Sequence, residues 1–503
     1  MILRPYQIEA ENATCKGFVE FDRQLVVIPT GGGKTILFAK LAERFHRKRN
    51  ERTLILAHRE ELVNQAADKI MKATGLMAEV EKAERRASLS SSIVVASIQT
   101  LQNSRLDRWP ADHFGLMVAD EAHHALANQW QNVLTYFSAK TLGVTATPDR
   151  GDKRALSGFF QNVAYECTVL DLIRDGFLSN ITIQTIPLKI DLSTVRQVAG
   201  DLESGQLSDA LLPYLKTIAQ TLKTECKGRK ILVFLPLIET SKKFVEECVA
   251  AGISARHVDG EMKNRAEVLA AYSRSEFELL SNAMLLTEGY DEPSVDCVVI
   301  LRPTKSRALY AQMVGRGTRL SPGKKDLLLL DFLWLHQKHN LAKPSSLIAK
   351  SEKEEASINE VIAKAESIDL LEADANAVLE REAVLARELA RLKTKQRQAL
   401  SIEEVAILLK DTKMSEYTPV MQWEGAPASP KQREVLAKFG VRCPISRGEA
   451  SLLLDRLFSR SRSNLASIKQ LLWLMKMGHP SPLTATGKEA KAFLDAKWGK
   501  RSK

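Results

Sequence analysis

Pro29-Thr30-Gly31-Gly32-Gly33-Lys34-Thr35 is the stretch that decides the fold. Before it stands Leu25-Val26-Val27-Ile28, a short unbroken apolar run of the kind a buried parallel strand shows. After it comes Ile36-Leu37-Phe38-Ala39-Lys40-Leu41-Ala42, which reads as a helix. Strand, glycine-rich loop, Lys-Thr and helix together make a phosphate cradle. Thr30, Gly31, Gly32 and Gly33 let the backbone wrap closely and aim its N–H groups at phosphate oxygens. Lys34 is placed to reach the outer phosphates, and the Thr35 hydroxyl to bind Mg²⁺. ATP and Mg²⁺ are therefore the expected ligands. Ile28 stands where the strict pattern G-x-x-x-x-G-K-[ST] has its first glycine.

Such a strand needs parallel neighbours, and the chain supplies them. Thr53-Leu54-Ile55-Leu56-Ala57 reads as a strand running into the helix start His58-Arg59-Glu60-Glu61-Leu62-Val63. Ile93-Val94-Val95-Ala96-Ser97 is another, ending at Gln99-Thr100. Leu116-Met117-Val118-Ala119 is closed by Asp120-Glu121-Ala122-His123. An acidic pair at the carboxyl end of a parallel strand has a task beside a phosphate loop. Asp120 is expected in the Mg²⁺ shell, and Glu121 to polarise the attacking water. His123 and His124 lack partners at metal-ligand spacing, so His123 reads as a coupling residue beside the acids. Leu142-Gly143-Val144-Thr145-Ala146-Thr147-Pro148 is a strand ending in two hydroxyls, Thr145 and Thr147, which could link the ATP site to a second ligand. Upstream, Gln7 in Leu3-Arg4-Pro5-Tyr6-Gln7 could meet an adenine edge with its donor and acceptor. A plain helix start at Pro5 accounts for the same residues.

At 503 residues the chain exceeds one core, and about three domains are expected. Charged residues make up 26 % and apolar ones 45 %, the balance of an ordinary globular protein. No apolar run approaches a membrane span, and the N-terminal residues lack the apolar segment of a signal peptide. The six cysteines show no C-x-x-C, which argues against a disulfide framework or a zinc site and fits a reducing cytoplasm. Net charge is +11, and its distribution is uneven. Gly425–Lys503 holds 16 Lys+Arg against 5 Asp+Glu, which is the whole excess; residues 1–424 sum to zero.

The ordered set PTGGGKT, LAHREEL, DEAH and GVTATP resembles superfamily 2 DEAD/DEAH-type helicases, which drive nucleic-acid translocation with two tandem RecA-like domains. TATP resembles the DNA-directed branch with XPB-like and RadD-like enzymes, and in that superfamily the Ile28 departure is normal. The second half continues the pattern with strands at Lys230-Ile231-Leu232-Val233-Phe234, Met284-Leu285-Leu286, Asp296-Cys297-Val298-Val299-Ile300-Leu301 and, last in its domain, Leu327-Leu328-Leu329-Leu330-Asp331-Phe332. In Tyr310–Arg319, Arg316 and Arg319 are three apart and share one face if the helix runs through them, which suits a phosphate across a cleft. The resemblance assigns these two to an arginine-finger element, and Gly289 and Asp291 to the segment coupling ribose and nucleic acid. It gives Gln312 a coupling role, and makes Arg59, Thr100 and Thr287 contacts to nucleic-acid phosphates. It implies DNA, single- or double-stranded, as the partner. An RNA helicase of DEAH type, or a nucleic-acid-binding scaffold with weak ATPase, is the alternative.

The expected architecture is thus α/β: RecA-like domains over residues 1–175 and 176–345, a helical arm and linker over 346–424, and a basic all-α module over 425–503. In the arm, Leu371, Val378, Leu385 and Leu392 recur every seven residues, which reads as a short coiled coil or as a helix lying on the preceding domains. Asp411 to Ala428 reads as a linker. Lys431-Gln432, Leu436, Lys438 and Gly440 recur 38 residues on as Lys469-Gln470, Leu474, Lys476 and Gly478. Each copy reads as helix, glycine stop, loop and second helix, for nucleic-acid binding or protein docking.

Overall fold

The computed structural model describes residues 2–58, 60–146, 156–198, 200–287, 289–335, 341–349, 351–392, 402–411, 414, 417, 419, 422–442 and 446–499. The chain divides into two compact units. One comprises Met1–Ile348 with Ile362–Glu372, the other Ala349–Val361 with Ala373–Lys503.

The first unit is built on two seven-stranded sheets. Strands β1 (Arg23–Val27), β2 (Thr53–Ala57), β3 (Glu79–Glu81), β4 (Ile93–Ser97), β5 (Leu116–Asp120), β6 (Lys140–Thr145) and β7 (Asn162–Glu166) pair in the order β3-β4-β2-β5-β6-β1-β7, all parallel. Every residue of β2 and β4 is buried, because helices cover both faces of the sheet. Alternate side chains show the two faces: Leu25, Val27, Leu54, Leu56 and Val94 join one apolar cluster with Trp109, Phe114 and Trp130, while Val26, Ile55 and Val95 are buried on the other side.

The second sheet holds β8 (Ile181–Asp191), β11 (Ile231–Phe234), β12 (Ala255–Val258), β13 (Leu279–Asn282), β14 (Cys297–Ile300), β15 (Leu327–Leu335) and β16 (Ser367–Asp369), after a short hairpin of β9 (Gln197–Val198) and β10 (Asp201–Leu202). Its order is β12-β13-β11-β14-β15-β8-β16, parallel throughout except that β16 lies antiparallel on β8. Two expectations are corrected here. The strand expected at Met284–Leu286 is Leu279–Asn282, and Leu285–Thr287 is a 3₁₀ turn. The sheet also does not end in sequence at β15, since residues assigned to the helical arm return to it as β16.

In the second unit the heptad reading is corrected as well. On the helix Leu370–Leu392, Ala373 and Ala377 are buried while Leu371 and Val378 are half-exposed; the Leu385 and Leu392 side chains lie outside the described residues. The Ser357 hydroxyl donates to Ala377 O (3.4 Å), and Arg381 pairs with Glu354 (3.5 Å). The expected linker is packed where it is described. Met414 and Ala428 belong to one apolar cluster with Val405, Leu408, Leu436, Leu453 and Leu471.

The repeat forms two helix pairs, Pro430–Lys438 with Arg447–Arg462 and Ile468–Lys476 with Gly487–Gly499. Each helix opens with the same device, in which a hydroxyl accepts from the backbone N–H three residues on while that residue's side chain accepts in return: Ser429/Gln432, Ser446/Glu449, Ser467/Gln470 and Thr486/Glu489. Gly440 and Gly478 end the first helix of each pair at φ 78° and 74°. Each pair is tied by a β-bridge, Pro427 to Ser446 and Leu465 to Thr486. Arg460 joins the pairs, donating to Ala466 O (2.9 Å) and Leu483 O (3.1 Å).

Candidate functional site

The phosphate loop follows β1 and runs into the helix Lys34–Arg49. Gly31 and Gly33 take φ 84° and 74°, where a side chain is strained. A β-carbon on Gly33 would stand 2.6 Å from Gln7 Nε2, and one on Gly32 2.5 Å from Ile28 Cγ2. The helix Pro5–Gly17 anchors the loop. Tyr6 Oη donates to Gly32 O (2.6 Å), and Gln7 Nε2 donates to Gly32 O (3.1 Å) and Gly33 O (3.2 Å). A trans peptide points its C=O and N–H in opposite directions, so the N–H groups of Gly33 and Lys34 face away from that helix. Gln7 Oε1 accepts from Arg4 N (2.9 Å), so both ends of its amide are committed to the loop and its anchor rather than standing free for a base.

Asp120 ends β5, and Glu121 follows in the left-handed region at φ 54°, a costly conformation for a residue with a β-carbon. Lys34 Nζ lies 3.7 Å from Glu121 Oε1, and His123 Nδ1 3.5 Å from Oε2. Burial alone would raise the Glu121 pKa, but the charges of Lys34, His123, Arg316 and His124 outweigh it and hold the carboxyl below its usual range. Glu121 is thus an anion in a water-poor site. His124 stacks on His58 at 4.2 Å, tying the end of β2 to that of β5. Thr30 Oγ1, Thr145 Oγ1, Glu121 Oε2 and His123 Nδ1 are buried polar atoms at the site without a hydrogen-bond partner, the last two standing 3.5 Å apart as an ion contact only. Unpartnered buried polar atoms are costly unless a ligand completes them. With the glycine cradle they fit a magnesium nucleotide, for which Thr35 and Asp120 offer the hard oxygen donors Mg²⁺ prefers.

The second half of the site comes from the other sheet. The helix Arg307–Val314 ends before Arg316, so the two arginines do not share a helical face as expected; they sit in the turn beyond it. They converge all the same. Arg316 Nη1 and Arg319 Nη1 both donate to Tyr290 O, at 2.7 and 3.2 Å, and Arg316 Nε donates to Gln312 O (3.2 Å). Gln312 itself is buried. Arg319 pairs with Asp291 (3.1 Å), which also pairs with Lys69 of the first sheet's helix Glu60–Thr74 (3.2 Å). Burial opposes ionisation of Asp291, yet Arg319, Lys69 and Arg316 keep its pKa below normal. Gly289, at φ 74°, makes the turn before it. The halves touch at the phosphate loop: a β-carbon on Gly315 would fall 2.4 Å from Thr30 Cβ, and Thr318 Oγ1 donates to Thr30 O (3.4 Å).

Lys324 braces the arginine turn. Its ammonium donates to Val295 O (2.6 Å), Arg319 O (2.8 Å) and Gly317 O, stapling the arginine turn to the strand-entry loop before β14. Burial lowers its pKa to about 8.

Among the expected nucleic-acid contacts, Thr287 is corrected: it is 1 % exposed, and its hydroxyl donates to Met284 O (2.8 Å). Thr100 is half-buried and accepts from Ala83 N (3.1 Å). Arg59 and Thr147 lie outside the described residues. Among the described residues there is no cluster of metal-ligating side chains and no helix long and apolar enough to cross a membrane.

Comparison with known proteins returns two family matches, "Type III restriction enzyme, res subunit" over residues 1–150 and "Helicase conserved C-terminal domain" over residues 213–321. The chain is 32 % identical over 403 residues to a putative ATP-dependent helicase IRC3 of Saccharomyces cerevisiae, covering 73 % of this chain and 58 % of that protein. It therefore spans little more than half of that relative's length. Among solved structures it resembles the fragment structure of a putative HsdR subunit of a type I restriction enzyme from Vibrio vulnificus (25 % identity, TM-score 0.54, covering 66 % of this chain and 64 % of that one). It shares its fold with the ATP-dependent type ISP restriction-modification enzyme LlaBIII bound to DNA (18 % identity, TM-score 0.55, covering 73 % of this chain and 30 % of that one).

Proposed function

The chain belongs to the superfamily 2 helicases, and on that basis we propose that it is a nucleic-acid-dependent ATPase that hydrolyses ATP to move along or remodel DNA. One observation carries the reading. The arginine-bearing turn of the second sheet packs on the phosphate loop of the first, with Thr318 Oγ1 donating to Thr30 O (3.4 Å) and Gly315 against Thr30, while Lys34 of that loop stands 3.7 Å from Glu121. Bound MgATP supplies the scissile phosphoanhydride and the metal's charge. The N–H groups of Gly33 and Lys34 and the Lys34 ammonium hold the phosphates. Glu121 orients a water and takes up its proton, and Arg316 and Arg319 offset the charge that develops on the transferred phosphoryl group. Because the arginines sit on the other sheet, anything that moves that sheet gates hydrolysis, and nucleic acid gripped by both sheets would be displaced with each cycle.

DNA is favoured over RNA by the likeness to restriction-enzyme subunits and by the TATP motif, which resembles that of the XPB-like and RadD-like branch. The free cysteines fit a reducing compartment such as the cytoplasm. ATPase rates with single-stranded DNA, duplex DNA and RNA, compared side by side, test the proposal. Stimulation by DNA above RNA is expected. Stimulation by RNA alone would make the chain an RNA helicase, and no stimulation by any of them a binding scaffold.

A further inference from the structure

We propose that the two helix pairs of Pro430–Gly499 form a second nucleic-acid-binding surface, which grips phosphates independently of sequence and takes no part in hydrolysis. The charge is the first observation, since the segment from Gly425 carries the protein's entire +11 excess. The fold shows where that charge goes. Lys431 and Lys438 are seven residues apart on the first helix of one pair, and Lys469 and Lys476 occupy the same places in the other; all four are exposed. Residues seven apart lie nearly in line along a helix, so each pair presents a row about 10 Å long. The rows are neighbours, because a β-carbon on Gly440, just past Lys438, would fall 3.0 Å from Lys469 Cε. Lys488 and Lys491 add exposed charge on the last helix.

The acidic residues do little to cancel this. Glu449 and Glu489 are held back on their own helix starts by Ser446 N (2.7 Å) and Thr486 N (2.9 Å), and Glu434 neutralises Lys438 only. The core needs none of the four lysines, since burial falls to Leu436, Leu453, Leu471 and Leu474. Protein docking would call for an apolar patch. Among the described residues here, the large apolar side chain that is exposed is Phe458, at 41 %, and it packs against Phe439. Trp473 is half-buried beside the second pair's core with the Lys476 ammonium over its ring; the Trp498 side chain lies outside the described residues. What remains is a dense field of flexible ammonium groups, the chemistry of non-specific phosphate contact.

The test uses the full chain with Lys431, Lys438, Lys469 and Lys476 all changed to Gln, and a fluorescent mixed-sequence DNA duplex titrated at several salt concentrations without nucleotide. Each phosphate contact contributes about 0.9 to the slope of log affinity against log salt. The slope should fall by about 2–4 and affinity at low salt by at least about tenfold. Thermal unfolding and ATPase turnover at saturating DNA should stay as in the parent. An unchanged slope and affinity with an intact fold overturns the proposal and leaves protein docking for this surface. Loss of turnover at saturating DNA overturns the claim that the surface stands apart from hydrolysis. A Lys34→Ala chain keeps these lysines, so it should keep the salt slope even without hydrolysis, which separates failure here from failure of the ATPase reading.

Discussion

The two sheets of the first unit share one strand plan and carry opposite chemistry. Taken in sequence order, each runs through positions 3-4-2-5-6-1-7. In the first sheet, strand 1 opens into the glycine loop and strand 5 ends in Asp120-Glu121. In the second, strand 1 (β8) leads to Leu192-Ser193-Thr194, with no glycine to wrap a phosphate, and strand 5 (β14) leads to Leu301-Arg302-Pro303. The second sheet places its functional charge between strands 5 and 6, as Arg316 and Arg319. The difference teaches that the scaffold sets only where a loop emerges. A cradle that wraps phosphate needs glycine and an ammonium at a helix start. A group that enters from outside needs a rigid cation on a braced turn, which Tyr290 O, Asp291, Ser179 Oγ (donating to Arg319 O, 3.1 Å) and Lys324 supply. In the proposed mechanism one sheet holds the nucleotide and the other completes the site.

That asymmetry can be broken from either side. Lys34→Ala should have the largest effect, since it removes both the phosphate contact and the 3.7 Å partner of Glu121. Nucleotide affinity and ATPase should both fall to background by equilibrium binding and steady-state assay. Glu121→Gln keeps shape and burial but removes the base, so turnover should drop by about 10²–10⁴ while nucleotide binding survives. Near-normal hydrolysis would remove Glu121 from the mechanism. On the arginine side, Lys324→Met should cost about tenfold in turnover with KM for ATP little changed, because Lys324 positions the turn and touches no phosphate. Its pH dependence has a defined sign. Burial depresses its pKa to about 8 from 10.5; Arg319 and Arg229 press the same way, against Asp296 and Asp326. The unfolded chain then binds more protons between about pH 8 and 10.5, so this group makes the fold more stable as pH rises through that window. The staple needs the ammonium, however, so turnover should fall above about pH 8 while thermal stability does not. A pH–rate profile that keeps this limb in Lys324→Met would assign it elsewhere.

How much of this was legible in the sequence depends on how local the cause is. The cradle was readable because Gly, Lys and Thr are demanded there by close approach and charge. The acids were readable because Asp120-Glu121 ends an unmistakably apolar strand. Strand β13 was misplaced because it ends in polar residues that a buried strand normally avoids. Ser281 is satisfied by Ser241 (2.6 Å), and Asn282 Nδ2 donates to Val233 O (3.0 Å), partners that only the fold brings together. Strand β16 is three residues of Ser-Ile-Asp inside a charged segment, too short for any periodicity. Arg316 and Arg319 converge on Tyr290 O, but from a turn beyond a helix that stops at Val314 and not from one helical face. Lys324 was invisible because Ser321-Pro322-Gly323-Lys324-Lys325 reads as an exposed turn, and its value lies in carbonyls delivered by two other segments. The repeat was legible because each copy begins a helix with the same hydroxyl–Gln device and ends it with glycine.

Arg316 belongs to one sheet and, in the proposed mechanism, acts at the other. The measurement is single-turnover ATP hydrolysis by Arg316→Ala at saturating DNA, with nucleotide affinity taken on the same preparation. We expect affinity within about threefold of the parent and a hydrolysis rate lower by about 10³–10⁵. Hydrolysis at the parent rate would mean that the first sheet works alone, and would contradict a site completed across two sheets.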